Sequence, residues 1–176
     1  MAGHSKWKQI KNKKAATDSK KSKIFTKLIR LITVEAKKSN GKEDAPGLRA
    51  AIEKAREANM PSENVERAIK KATDTSSSAM EPVMYEAYGP GGCALIIEGL
   101  TDNRNKAAAE VRHILSKHGF ELAVSGSATW AFEKTGSEWS PKTTVTLEES
   151  DAVKLQEIVS ELEDNDEVQE VFTNAE

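Results

Sequence analysis

The chain has 176 residues, with 26 Lys+Arg against 28 Asp+Glu and a single cysteine. That length admits one ordinary domain or two small ones, and a lone Cys93 excludes both an intrachain disulfide and a cysteine-built zinc site, which suits a reducing cytoplasm. No apolar run reaches the ~18 residues a membrane span needs, and Met1 to Lys14 has neither the apolar core of a secretory signal nor the arginine enrichment of a transit peptide, so it reads as mature protein.

The near-neutral total hides a dipolar chain. Residues 1–80 hold 19 Lys+Arg against 9 Asp+Glu, and the remainder holds 7 against 19. A basic half of this kind is the electrostatic footprint of a polyanion binder, and an acidic half serves solubility or a second partner.

From Gly3 to Lys23 the only large apolar side chains are Trp7 and Ile10, too few to fix a core, so residues 1–21 are expected to form a basic arm. His4, Lys6, Trp7, Lys8, Lys11, Lys13, Lys14, Lys20, Lys21 and Lys23 give it the composition of a nucleic-acid contact. Lysines neutralise phosphates and release counterions, and an aromatic can stack on an unpaired base. Packing of Trp7 against the helices is the structural alternative. A solvated tail, or a patch for an acidic protein, is the alternative for the lysines.

Residues 22–74 read as a three-helix bundle. Phe25, Leu28, Ile29, Ile32 and Ala36 follow helical spacing, with Lys23, Lys27, Arg30 and Lys37 as a second, basic stripe. Asn40-Gly41 ends this helix. Asp44 is expected to cap the next, which carries Leu48, Ala51, Ile52 and Ala55, and Asn59-Met60-Pro61 stops it. Ser62 is expected to cap the third, with Val65, Ala68, Ile69 and Ala72 inward and Arg67, Lys70 and Lys71 left for solvent or a ligand. Residues 75–82 read as a Ser-rich linker.

In residues 83–176 the period changes. Val83 to Tyr88 and Cys93 to Glu98 read as strands around Gly89-Pro90-Gly91-Gly92, a turn whose glycines can take positive φ. A helix with Ala107, Val111, Ile114 and Leu115 inward runs to Gly119. Strands are expected over Ser127 to Glu133 and Thr143 to Leu147, a helix over about Ser150 to Asp164, and a last strand over Val168 to Thr173. The order from Cys93 is strand, helix, strand, strand, helix, strand. The predicted class is therefore α+β: an N-terminal three-helix bundle, then a ferredoxin-like split βαβ domain with an antiparallel sheet and both helices on one face.

Other constellations carry less. Asn103, Arg104, Asn105 and Lys106 at a helix start form a secondary anion-site candidate through the dipole and backbone N–H groups, with a plain capping loop as the commoner explanation. The glycine turn lacks the Lys-Ser/Thr ending of a phosphate loop. His113 and His118 lie about 140° apart on a helix, poorly placed to share a metal. Cys93 begins an apolar strand, where an inert buried thiol is expected. No nucleophile and base constellation stands out, and no catalytic residue, metal or cofactor is expected.

Met1-Ala2-Gly3-His4-Ser5-Lys6-Trp7, Lys23 to Arg30, Asn59-Met60-Pro61, Tyr88-Gly89-Pro90-Gly91-Gly92, Leu100 to Asn105 and Val168 to Asn174 together resemble the YebC/PmpR family, which includes mitochondrial translational activators of cytochrome oxidase synthesis. The resemblance implies a helical domain followed by α/β domains and no cofactor. It implies either a DNA-binding transcriptional regulator or a factor acting on the ribosome to help synthesis of difficult sequences. Two departures stand out. Typical members carry another small α/β domain between the strand ending near Glu133 and the one beginning near Thr143, where only Lys134 to Lys142 intervene here. Phe120 follows Lys117-His118-Gly119 where a second glycine is expected.

The expectation is a cytoplasmic, non-enzymatic, monomeric nucleic-acid-binding protein, with ribosomal RNA the favoured partner, DNA the runner-up and no membrane partner. No helix with clustered Arg, Asn or Gln offers base readout, which favours backbone and shape recognition. A protein-interaction adaptor working through the acidic half is the third reading. It predicts that deleting residues 1–23 leaves partner binding intact.

Overall fold

The structure, a computed structural model, describes Trp7, residues 18–75 and residues 79–176, with the side chains of Asp18 and Ser19 outside the description. The chain divides into two compact units. One comprises Ala16–Pro82 with Leu100–Asp102, and the other Met1–Ala15, Val83–Gly99 and Asn103–Glu176.

The first unit is a helical bundle of α1 (Asp18–Lys38), α2 (Pro46–Glu57) and α3 (Ser62–Thr73). Its core is built of Ile32, Ala36, Leu48, Ala51, Ala55, Met60, Ala68 and Ala72, so alanines on all three helices let the backbones approach closely. Three local expectations are corrected. Helix α1 already includes Asp18, ahead of Ser22, and residues 18–21 carry no large apolar side chain to mark that turn in the sequence. Helix α2 is entered through Ala45, with Pro46 at the first position and no capping bond from Asp44, since proline's fixed φ and missing N–H already suit that place. Helix α3 is entered through Pro61, with Ser62 inside the helix. Ile29, expected inward, is 36% exposed, at the margin of the stripe that Phe25, Ile32 and Ala36 define.

Three helices end in one device. Asn40, Asn59 and Gly119 adopt positive φ of 51°, 58° and 84°. The next residue's N–H then bonds five residues back, Gly41 to Ala36 at 2.8 Å, Met60 to Ala55 at 2.9 Å and Phe120 to Leu115 at 3.0 Å. Met60 and Phe120 occupy the position whose apolar side chain folds onto the helix end, and each packs on its unit's core. That accounts for Phe120 where a second glycine was expected.

The second unit holds all but the first two residues of β1 (Glu81–Tyr88) and the last two of β2 (Ala94–Thr101), together with α4 (Arg104–Lys117), β3 (Phe132–Thr135), β4 (Glu138–Pro141), α5 (Glu149–Asp164) and β5 (Val168–Thr173). The β1–β2 turn is as expected, with Gly91 and Gly92 at φ 66° and 77°. The main sheet has three strands in the order β1-β2-β5, with β5 antiparallel to β2. On one face Ala87, Leu95 and Ile97 pack under Val111 and Leu115 of α4 and Leu155, Ile158 and Leu162 of α5. Both helices cover one face, as expected.

The α+β class holds, but the strand inventory within it differs. Residues 127–133 do not enter the sheet. Residues 127–131 form a loop and a 3-10 turn, Thr129–Ala131, and Phe132 and Glu133 open β3, which pairs only with β4 in a separate hairpin. Ala128, Ala131 and Phe132 cover the sheet's other face over Ala94 and Ile96, with Tyr88, Trp139 and Phe172 around them. The reason lies in β2, whose Ala94–Ile97 run is buried on both faces and demands cover on each. Residues 143–147 also stay out of the sheet. Val145 makes one parallel bridge to Ala175, its N–H donating to the Asn174 carbonyl at 2.9 Å. Buried Asn174 joins these parts, its Oδ1 accepting from the Ala94 N–H at 2.7 Å and its Nδ2 donating to the Thr143 carbonyl at 3.1 Å.

Candidate nucleic-acid interface

Of the arm residues proposed to meet nucleic acid, His4, Lys6, Lys8, Lys11, Lys13 and Lys14 lie outside the described residues. Trp7 is described, and it is 4% exposed within the apolar core of the α/β unit. Its ring offers no open face for stacking on a base. Its apolar neighbours belong to the α/β unit, which fits the packing alternative.

Lys20, Lys21, Lys23, Lys27 and Arg30 are all on α1. Lys21 is exposed and the other four are half-buried. Helical spacing puts Lys20, Lys23, Lys27 and Arg30 along one stripe. Arg30 is engaged within its unit, its Nη1 donating to the Leu100 carbonyl at 2.9 Å.

The bundle carries further basic groups. Each of its helices ends in two of them, Lys37 and Lys38, Lys54 and Arg56, Lys70 and Lys71, where a cation also stabilises the negative end of the helix dipole. All six are exposed, as are Lys42, Arg49 and Arg67. Among the described residues Lys38 pairs with Glu35 at 2.8 Å and Arg56 with Glu53 at 3.4 Å. Exposed pairs of this kind stabilise little and exchange readily for a phosphate. The sequence signal for the terminal pairs was present, but their role at helix ends is legible only once the helix boundaries are fixed.

At the start of α4 two of the four candidate anion ligands, Asn103 and Lys106, are engaged within the α/β unit. Asn103 Oδ1 accepts the Lys106 N–H at 3.1 Å as the helix cap. Lys106 Nζ lies 3.0 Å from Oε1 of Glu167, which is 2% exposed, and 3.8 Å from Glu110. Arg104 and Asn105 are exposed. Burial raises the nearby Tyr85 hydroxyl above its ordinary pKa, with Arg104 and Arg112 opposing that shift.

Sequence reading missed Glu86, which is 2% exposed on β1. Its carboxylate accepts the N–H groups of Gly126 at 2.6 Å, Ala128 at 2.7 Å and Thr129 at 2.9 Å. Tyr88 on the same strand donates its hydroxyl to the Ser127 carbonyl and accepts from Trp130 Nε1 at 2.9 Å. A glutamate in an otherwise apolar stretch of strand was the only available hint.

His113 is exposed, whereas His118 Nε2 lies 2.8 Å from Glu161, which also pairs with Lys117. Bonds from Lys117 and His118 hold the Glu161 carboxyl below its ordinary pKa. Cys93 is buried, and burial raises its thiol pKa, which disfavours the reactive thiolate. Among the described residues no group of three or more His, Cys, Asp or Glu could hold a metal, and no helix is long and apolar enough to cross a membrane.

A basic helical bundle joined to an α/β unit with a two-sided sheet defines the class: a two-unit α+β protein. Residues 5–75 match the profile of the TACO1/YebC protein N-terminal domain, and residues 80–138 and 135–175 match that of the TACO1/YebC second and third domain. The chain belongs to the TACO1/YebC family. A probable transcriptional regulatory protein of Fervidobacterium nodosum is 42% identical over 235 residues, covering 99% of this chain and 93% of the relative. One from Petrotoga mobilis is 48% identical over 169 residues, covering 95% of this chain and 66% of the relative. The crystal structure of a conserved hypothetical protein from Aquifex aeolicus superposes with a TM-score of 0.86 at 33% identity, covering 98% of this chain and 97% of that one. The two stretches of the second profile meet at the tip of the β3–β4 hairpin, and the 235-residue alignment exceeds the 176 residues of this chain. The Fervidobacterium relative thus carries residues that have no counterpart here, in keeping with the short Lys134 to Lys142 connection.

Proposed function

We propose that the chain is a non-enzymatic regulator of gene expression that binds nucleic acid through its basic half, and that its partner is ribosomal RNA, where it assists synthesis of difficult sequences. The observation that carries the reading is the segregation of charge, with 19 Lys+Arg against 9 Asp+Glu in residues 1–80. The exposed basic ends of all three bundle helices support it. Lysine-rich recognition without a base-reading helix suits RNA backbone and shape. The test is sedimentation of the full chain through a sucrose gradient of lysate, beside DNase-treated samples and a variant lacking residues 1–23. Comigration with ribosomal particles that survives DNase and is lost in the variant is the expected result. Confinement to the top of the gradient at low salt overturns the ribosomal reading.

A second reading is a DNA-binding transcriptional regulator, favoured by the printed names of the relatives. It predicts tighter binding to promoter than to scrambled DNA at physiological salt, and equal affinity for both removes its support.

A further inference from the structure

We infer that Trp130 is an outward-facing recognition platform on the α/β unit, whose ring receives an arginine side chain from a basic segment of a partner polypeptide. Trp130 lies in the 3-10 turn Thr129–Ala131 and is 59% exposed, and Val124, in the loop that leads to that turn, is 81% exposed. Large apolar side chains gain by leaving water, so two of them held outside on one loop mark a surface for a partner to cover.

The ring is fixed in place. Its Nε1 donates to the Tyr88 hydroxyl at 2.9 Å, and that hydroxyl donates to the Ser127 carbonyl. From β1 the buried Glu86 carboxylate takes the N–H groups of Gly126, Ala128 and Thr129, the last being the residue next to Trp130. A buried carboxylate is costly without such partners, and here all three lie in one loop. An indole held in this way has little conformational freedom to lose on binding. Its polar edge is already satisfied, which leaves the π faces as the part open to a ligand.

Charge selects the occupant. From His118 to Glu133 the chain holds Glu121 and Glu133 and no lysine or arginine, and residues 81–176 hold 7 Lys+Arg against 19 Asp+Glu. A nucleobase would bring phosphates into this field, whereas a cation is drawn to it. Two half-buried rings of the same unit already carry cations: Lys134 Nζ stands 4.9 Å from the centre of Trp139, and Lys154 Nζ 5.3 Å from that of Phe120. Among the described residues no cation or second ring stands over Trp130. The ring therefore has room for a cation from outside. Arginine fits best, because its flat, weakly hydrated guanidinium stacks on an indole face while an ammonium stays strongly hydrated. Every residue of the platform belongs to the α/β unit, so its contact with a basic polypeptide does not depend on what the basic half binds.

The test is fluorine NMR of the full chain labelled with 5-fluorotryptophan, the Trp130 resonance being assigned by its loss in Trp130→Phe. The probe is an acetylated peptide of alternating arginine and glycine, whose binding is followed separately by anisotropy of a fluorescein-labelled copy. The expected result is a saturable shift of the Trp130 resonance with those of Trp7 and Trp139 in place, and a weaker effect from a lysine and glycine peptide of equal charge. Trp130→Leu should lower the affinity roughly three- to thirtyfold, the span of one cation–π contact, with Trp130→Phe between it and the parent. Should Trp130→Leu melt early, Trp130→Phe and the parent's own resonance carry the comparison. A Trp130 resonance unmoved while the peptide saturates the chain, or equal affinity of the parent and Trp130→Leu, overturns the proposal, as does absence of peptide binding at low salt. Movement with oligo(U) RNA and not with the peptide overturns it in favour of a nucleobase on the ring.

Discussion

The carboxylate of Glu86 lies 2.7 Å from the amide nitrogen of Ala128, and this bond ties the first strand of the sheet to the loop that roofs it. Because the same carboxylate also takes the N–H groups of Gly126 and Thr129, one side chain satisfies three amides of a single loop. Glu86→Gln keeps one accepting oxygen and turns an NH2 group toward donors. It should cost about 1–3 kcal/mol, the usual penalty for stranding buried polar groups. The urea midpoint reads this, and a midpoint equal to that of the parent would remove Glu86 from its role.

Gly99 is fixed by close approach. A Cβ there would lie 2.3 Å from the Glu167 carbonyl oxygen, a backbone atom that cannot swing away, next to the bulge between Glu98 and Gly99. Gly99→Ala should destabilise by about 1–3 kcal/mol, as overpacking generally does. Thermal melting is the check, and an unchanged transition would mean that β2 and the Glu167 turn separate freely.

Glu161 gives stability a dependence on acid. Lys117 and His118 hold its carboxyl below the ordinary range. A carboxylate lowered in this way contributes its stability above the unfolded pKa and loses it as pH falls through the folded one. The parent should therefore lose melting temperature more steeply than Glu161→Gln from about pH 5 downward, the two profiles converging at the most acid pH. Parallel profiles over that window would contradict the assignment.

The arm lysines should be visible in salt dependence. Each lysine that neutralises a phosphate contributes roughly 0.7–0.9 to the slope of log affinity against log salt. Joint replacement Lys11→Glu, Lys13→Glu and Lys14→Glu should weaken RNA binding and flatten that slope by roughly two units or more. Titration of labelled RNA at several salt concentrations measures it, and an unaltered slope would exclude those three residues from the contact.

The helical unit was largely legible because its signals are local. The spacing of Ile32 and Ala36 or of Ala68 and Ala72 gives a face, and Asn40-Gly41 and Asn59-Met60-Pro61 give the ends. The capping residues were misjudged because Pro46 and Pro61 organise helix entry without a side-chain bond from Asp44 or Ser62. The second layer over the sheet was not legible, since Ala128, Ala131 and Phe132 carry a strand-like pattern while their partners Ala94 and Ile96 are far away in sequence. For the candidate interface, charge identified the basic half. The burial of Trp7 and the engagement of Lys106 by Glu167 depend on contacts that no spacing rule encodes.

The position of β5 has a consequence for synthesis. Helices α1 to α3 find their partners within residues 18–73 and can close as soon as that stretch has been made. Strand β2 instead waits for Val168–Thr173, more than sixty residues later, before its second edge is paired. During elongation the apolar run Ala94–Ile97 therefore leaves the ribosome well before its partner. The nascent α/β unit passes through a stage in which its most aggregation-prone strand has an open edge, and a chaperone should engage it there.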